Sequence, residues 1–292
     1  MCHVPAVGPV ALRSVDHSSA GDESDQGESM MHVKDRVCVV TGGGSGIGKA
    51  LCERFAASGA RHVVVVDRDG EAARSVADAI GGRAEVVDVG VEQEVTAMLT
   101  AVEDELGPVD VLCNNAGIAS GGDPLTTPID EWQRQWDINV MSHVHAIRAV
   151  LPSMLARGEG HVLHTASMAG ILTSHGNAPY ATSKHAVVGL AEWMSITYHD
   201  QGIRTYLLAP LGVRTPMLGP QADSEWARAA AGPIAEPEDV AELVTDAFAE
   251  ERFLILTNPI AQDWMSFKTA DPEKWLTGMR KLQARIEAAD EG

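Results

Sequence analysis

The sequence predicts a doubly wound α/β fold, a seven-stranded parallel sheet flanked by helices within a single domain. Three observations predict it. From Arg36 onward, short apolar runs alternate with amphipathic segments. The runs Val37-Cys38-Val39-Val40 and Val63-Val64-Val65-Val66 lack polar alternation, as expected for strands covered on both faces. A chain of 292 residues, 45% hydrophobic and 22% charged, can fill one sizeable core.

Taken in order, strands are expected at 36–41, 61–67, 84–88, 109–113, 160–166, 203–208 and 253–256. Helices are expected between them at 46–58, 71–80, 91–106, 130–156, 179–200 and 237–249. Residues 1–33 are rich in Ser, Gly, Asp and Glu and carry no period, so a disordered extension is expected, with translation beginning at Met30 or Met31. Residues 34–260 make the folded domain. Within it, residues 211–236 combine glycines and prolines and are expected to act as a lid. Met217, Leu218 and Trp226 either wall an apolar pocket there or pack the lid onto the body. Residues 261–292 form a helical tail whose Trp264, Met265, Phe267 and Trp275 need a neighbour, either the chain's own core or another subunit.

Charge and cysteine usage exclude several functions. The net charge of −19 without a basic cluster argues against nucleic acid and against an anionic membrane surface. No run of 18 apolar residues exists, and the N-terminus lacks the pattern of a signal peptide. Cys2, Cys38, Cys52 and Cys113 show neither metal nor disulfide spacing, which fits a reducing cytoplasm. His143 and His145 on the long helix, with His161 and His164 beside a strand, share no metal-ligand spacing, so packing is expected and no metal. His175 is open to two readings, a substrate contact or an ordinary loop residue.

Two stretches carry chemistry. Tyr180 and Lys184 lie one turn apart on a helix opened by Pro179, so an ammonium can stabilise a phenolate and bring it into acid/base range. Ser167 can donate to the same reacting oxygen. Alone, the pair also fits a solvated helix face. The second stretch gives it meaning: Thr41-Gly42-Gly43-Gly44-Ser45-Gly46-Ile47-Gly48 joins the first strand to a helix. Such glycines let the backbone approach a pyrophosphate, and the helix N-terminus aims amides at that anion. Asp67 closes the second strand about 20 residues on, where a carboxylate accepts ribose hydroxyls and repels a 2′-phosphate. Ser45 carries no charge for such a phosphate, so NAD is expected over NADP, although Arg68 is nearby.

The spacing Thr-Gly-x-x-x-Gly-x-Gly resembles the short-chain dehydrogenase/reductase superfamily, whose members share the Rossmann fold. The resemblance covers about Lys34 to Asn258. Asp88-Val89 matches its adenine-contacting position, and Asn114-Asn115-Ala116-Gly117 its Asn-Asn-Ala-Gly signature. Asn139, Ser167, Tyr180 and Lys184 match its catalytic tetrad. The resemblance implies that Tyr180 is the general acid/base, that Lys184 also binds the nicotinamide ribose, and that Asn139 links Lys184 to a proton path through backbone and water. Val213 and Thr215 are implied to meet the nicotinamide carboxamide, with Pro210 also among the cofactor-binding residues. The sequence departs from the pattern at Leu211, where the family usually has glycine; either the loop takes a different backbone path or Leu211 lines the substrate pocket, and φ < 0 is expected there. The function implied is hydride transfer between NAD(H) and a secondary alcohol or ketone, by an enzyme that forms a homotetramer or dimer. An NADP-preferring carbonyl reductase is the alternative, and a non-catalytic dinucleotide sensor a more distant one.

Overall fold

The computed structural model describes residues 33–219 and 232–290. The expected extension and translation start fall almost wholly outside them, as do Trp226 and the middle of the expected lid. Seven strands form one parallel sheet: β1 (Val37–Thr41), β2 (His62–Asp67), β3 (Arg83–Val86), β4 (Val111–Asn114), β5 (Gly160–Thr165), β6 (Ile203–Ala209) and β7 (Leu254–Leu256). Their order is β3-β2-β1-β4-β5-β6-β7. The order reverses direction between β1 and β4, and the crevice beyond their carboxyl ends is where ligands bind in such sheets.

The unbroken valine runs explain the two-sided core. Cys38, Val40 and Val65 pack on one face against Leu51 and Phe55 of helix α1 (Gly46–Ala57) and Phe248 of α8 (Pro237–Ala249). Val39, Val64 and Val66 point to the other face, toward Leu99 of α3 (Glu92–Leu106) and Val150 of α5 (Ser142–Arg157). Each buried valine contributes about 1.5–3 kcal/mol, so neither face could be left open. Helix α2 (Gly70–Ile80) is capped by Asp69, whose carboxylate accepts from the amides of Glu71 and Ala72.

Several elements differ from the sequence reading. Strand β3 stops at Val86, because Asp88 turns the chain by accepting from the Gly90 amide at 2.9 Å. The helix expected at 130–156 is three pieces: α4 (Ile129–Trp136), a π-helical turn (Asp137–Met141) and α5. A short helix, α6 (Ala169–Leu172), follows β5. Helix α7 (Ala178–Tyr198) begins one residue before Pro179, with Asn177 accepting from the Tyr180 amide at 3.2 Å. The C-terminal residues form α9 (Ile260–Ala270) and α10 (Pro272–Asp290). Lys268 on α9 donates to the Ile171 carbonyl on α6, which ties the tail to the segment leading into α7. No helix among the described residues is long and apolar enough to cross a membrane.

Candidate active site

The reacting groups come from adjacent elements. Ser167 follows β5, and its Oγ accepts from the Ala169 amide at 3.1 Å, which orients it at the start of α6. Ser167 Oγ donates to the Pro210 carbonyl at 3.5 Å, and its hydroxyl lies on the same cavity wall as the Tyr180 phenol. Burial raises the pKa of Tyr180, and the Ser167 hydroxyl acts in the opposite sense. Lys184 Nζ lies 5.7 Å from the centre of the Tyr180 ring and donates to the Thr165 carbonyl at 2.8 Å. Lys184 is 3% exposed, and burial lowers its pKa to about 8, so it keeps its charge at neutral pH.

Asn139 stands behind this group in the π-helical turn. Its Oδ1 accepts from the Ile118 amide at 2.8 Å, while Nδ2 donates to the Ile118 carbonyl at 2.9 Å and to Ser183 Oγ at 3.0 Å. The side chain therefore fixes the segment after Gly117 to the helix that carries Lys184.

The glycine loop passes beneath the carboxyl end of the sheet. Gly42 has φ of 66°, and a Cβ there would meet the Ala116 backbone at 3.0 Å. A Cβ on Gly48 would lie 2.1 Å from the Gly42 carbonyl oxygen, so only glycine lets α1 start this close to the loop. Ser45, the residue before α1, makes no side-chain cap, leaving its hydroxyl and the first helical amides to face an anion. The Asp67 carboxylate accepts from the Gly44 and Asp69 amides, both at 3.0 Å. Thr41, to which the sequence reading gave no role of its own, locks this end: its Oγ1 accepts from the amides of Asn115 at 2.9 Å and Ala116 at 3.0 Å. A hydroxyl on the last residue of the strand before the glycines was the available signal.

One cavity of about 840 Å³ connects these parts. Its wall includes Gly42, Ser45, Gly46, Ile47, Asp67, Arg68, Asp88 and Val89 at one end, with Asn115, Ala116 and Gly117 along the side. Ser167, Tyr180 and Lys184 follow, then Pro210, Val213 and Thr215. Gly44, Gly48 and Asn139 lie behind the wall, where they shape it. The donor set fits a dinucleotide: an amide-lined turn for the pyrophosphate, carboxylates at the adenosine end, and a phenol beside an ammonium at the other. The sequence profile of short chain dehydrogenases matches residues 36–226.

The chain belongs to the short-chain dehydrogenase family. It is an oxidoreductase with the family's Rossmann-like fold and nicotinamide dinucleotide chemistry. Among relatives, it is 37% identical over 240 residues to the 1-deoxy-11-beta-hydroxypentalenate dehydrogenase of Streptomyces exfoliatus, covering 80% of this chain and 86% of that one. It is 37% identical over 221 residues to the meso-2,3-butanediol dehydrogenase of Serratia marcescens, covering 73% and 87%. A short chain dehydrogenase/reductase from Burkholderia phymatum, solved in complex with NAD, superposes with a TM-score of 0.75 at 30% identity, covering 83% of this chain and 96% of that one.

The remaining polar residues are accounted for in this dehydrogenase. His143 and His164 are fully buried and meet through their Nδ1 atoms at 2.9 Å, rings stacked. His161 stacks on Tyr206, and His145 Nδ1 lies 3.4 Å from the Val89 carbonyl. His175 lines the cavity, and its buried Nε2 has no partner among the described residues. Leu211 is not at positive φ; among the described residues the non-glycine positions that are include Asp35, Thr173 and Glu251. Its amide donates to Thr257 Oγ1 at 3.1 Å. Burial raises the thiol pKa of Cys38, Cys52 and Cys113, which are free and inert in the core.

Proposed function

We propose that this protein oxidises a secondary alcohol to a ketone, or the reverse, with NAD(H) as redox partner and Tyr180 as general acid/base. The observation that carries this reading is the convergence of Ser167, Tyr180 and Lys184 on one cavity wall, with the buried Lys184 ammonium 5.7 Å from the Tyr180 ring. In oxidation, Tyr180 Oη takes the proton of the substrate hydroxyl, and Ser167 Oγ donates a hydrogen bond to the oxygen as charge develops there. The Lys184 charge favours the phenolate against the opposing effect of burial. Asn139 holds Ile118 and Ser183 and so keeps the Lys184 helix in register with the cavity wall. When bound on this wall, a nicotinamide dinucleotide would supply the hydride acceptor for oxidation and the hydride donor for reduction.

Gly42, Ser45, Gly46 and Ile47 receive the pyrophosphate, with Gly44 and Gly48 setting the loop's path. Asp67 takes the adenosine ribose, Asp88 and Val89 the adenine, and Asn115, Ala116 and Gly117 the middle of the dinucleotide. Pro210, Val213 and Thr215 face its nicotinamide end, and Lys184 also binds the nicotinamide ribose. Asp67 supports NAD over NADP, since its carboxylate repels a 2′-phosphate. Arg68, exposed on the cavity wall, supports the second reading, an NADP-preferring carbonyl reductase. Exposed Trp193 and Ile196 on α7 support assembly into a homotetramer or dimer. Buried free thiols support a reducing compartment, the cytoplasm. Steady-state rates with NADH and NADPH on one ketone test the cofactor: an NADH advantage of at least about tenfold in kcat/KM is expected, the equivalent of about 1.4 kcal/mol. An advantage for NADPH would replace the first reading by the second.

A further inference from the structure

Beyond the reacting groups, the cavity continues into a chamber built largely from the C-terminal helices. Met168 and Leu172 come from the α6 segment, Leu211 from the loop after β6, Trp264 from α9, and Trp275 and Met279 from α10. These residues also form a packed cluster with Leu256 and Met265, so the chamber wall is continuous with the hydrophobic core of the tail. Leu211 is central to it. A Cβ on Gly232 would stand 3.2 Å from Leu211 Cδ2 and 3.3 Å from Trp264 Cη2, which places the backbone of Gly232 directly against both side chains. The leucine at this position is thus built into the chamber and braced by the tail.

The polar groups at this end sit on one loop. Thr173, Ser174, His175 and Asn177 line it, and two of them are already engaged: Asn177 caps α7, and Ser174 Oγ donates to the Asn177 carbonyl at 3.5 Å. Among the described residues of the wall, Lys184 is the cation of this end, and Arg68 lies at the opposite end beside Asp67. A carboxylate on the far side of the substrate would meet no lysine or arginine in the described wall beyond Lys184, only donors such as His175 Nε2, and would be largely desolvated against tryptophan and methionine, a costly exchange. A small alcohol would leave the apolar walls without contact.

Resting on the oxidoreductase reading above, we propose that the substrate is a neutral, bulky, mainly hydrocarbon ring alcohol or its ketone, selected by the Leu211, Trp264 and Trp275 walls. Methylene-scale contacts in an apolar pocket each change kcat/KM by about 10- to 200-fold, so a fused ring system gains far more here than a four-carbon chain.

The test compares four secondary alcohols with the full-length enzyme and NAD: decahydro-2-naphthol, decahydro-2-naphthol bearing a ring carboxylate, 2-butanol and 2,3-butanediol. The expected result is a kcat/KM for decahydro-2-naphthol at least about 10²-fold above either four-carbon alcohol and at least about tenfold above its carboxylate analogue. Calorimetric titration of 2-decalone is expected to show saturable binding with a negative heat-capacity change, a readout independent of turnover. Leu211→Ala and Trp264→Ala should each shrink the bulky-to-small ratio about tenfold. Equal or higher kcat/KM for a four-carbon alcohol, or for the carboxylate analogue, would overturn this inference and leave the reaction assignment standing. Turnover of none of these alcohols, or of their ketones, with either dinucleotide would overturn the reaction assignment and this inference with it.

Discussion

Asn139 grips both backbone polar groups of Ile118, accepting from its amide at 2.8 Å and donating to its carbonyl at 2.9 Å. The carboxamide is fully buried, and the third bond, to Ser183 Oγ, reaches the helix one residue before Lys184. Removing it strands two backbone groups in a dry setting, at about 1–3 kcal/mol each. Asn139→Ala is therefore expected to lower unfolding free energy by about 2–4 kcal/mol together with activity. Denaturant titration alongside kcat checks this, and a variant inactive yet as stable as wild type would assign Asn139 to the chemistry and not to the scaffold.

Tyr180 makes a sharper prediction because its hydroxyl is the atom that moves the proton. Tyr180→Phe keeps the ring beside Lys184 and removes only Oη. Turnover is expected to fall by about 10²–10⁴ while NADH affinity stays within about threefold, read by fluorescence titration. Activity within a few-fold of wild type would remove Tyr180 from the mechanism.

The strands and the dinucleotide loop were legible because their signals are local. An unbroken run such as Val63 to Val66 has one economical home, a strand covered on both faces, and the Gly42 to Gly48 spacing leads directly from strand to helix. The π-helical turn around Asn139 was not legible: an extra residue in a helical turn leaves the hydrophobic period on either side almost unchanged. Nor was the Leu211, Gly232 and Trp264 junction, since its members are brought together only by the folding of the tail onto α6. The sequence marked Leu211 as unusual; the packing shows what surrounds it.

Cofactor preference should follow the charge at Asp67. Its carboxylate accepts from two backbone amides, at Gly44 and Asp69, and so is fixed in direction as well as in place. Asp67→Asn preserves one acceptor and removes the charge. The NADH-to-NADPH ratio of kcat/KM is expected to fall by about tenfold or more, mainly through weaker binding of NADH and relief of repulsion toward NADPH. An unchanged ratio would shift cofactor choice to Arg68.

The buried His143 and His164 pair predicts an acid limit on stability. Burial lowers the pKa of both, His164 to about 3, and His143 is lowered further by its neighbour His164 and by the Lys184 charge. Asn114 pairs with His164 across β4 and β5, and its Nδ2, like both Nε2 atoms, has no partner among the described residues, so nothing there favours an imidazolium. Folded-state values below the ordinary 6.5 mean that the unfolded chain binds more protons in this window. The contribution to stability is therefore complete above about pH 6.5 and is lost as pH falls toward about 3, at about 1.4 kcal/mol per pH unit for each imidazole. Unfolding free energies between pH 5 and 7.5 read this slope directly. The double variant His143→Leu, His164→Leu removes both titrating groups and their mutual hydrogen bond together, and is expected to flatten the slope in proportion. A variant as acid-sensitive as wild type would place the limit among the carboxylates instead.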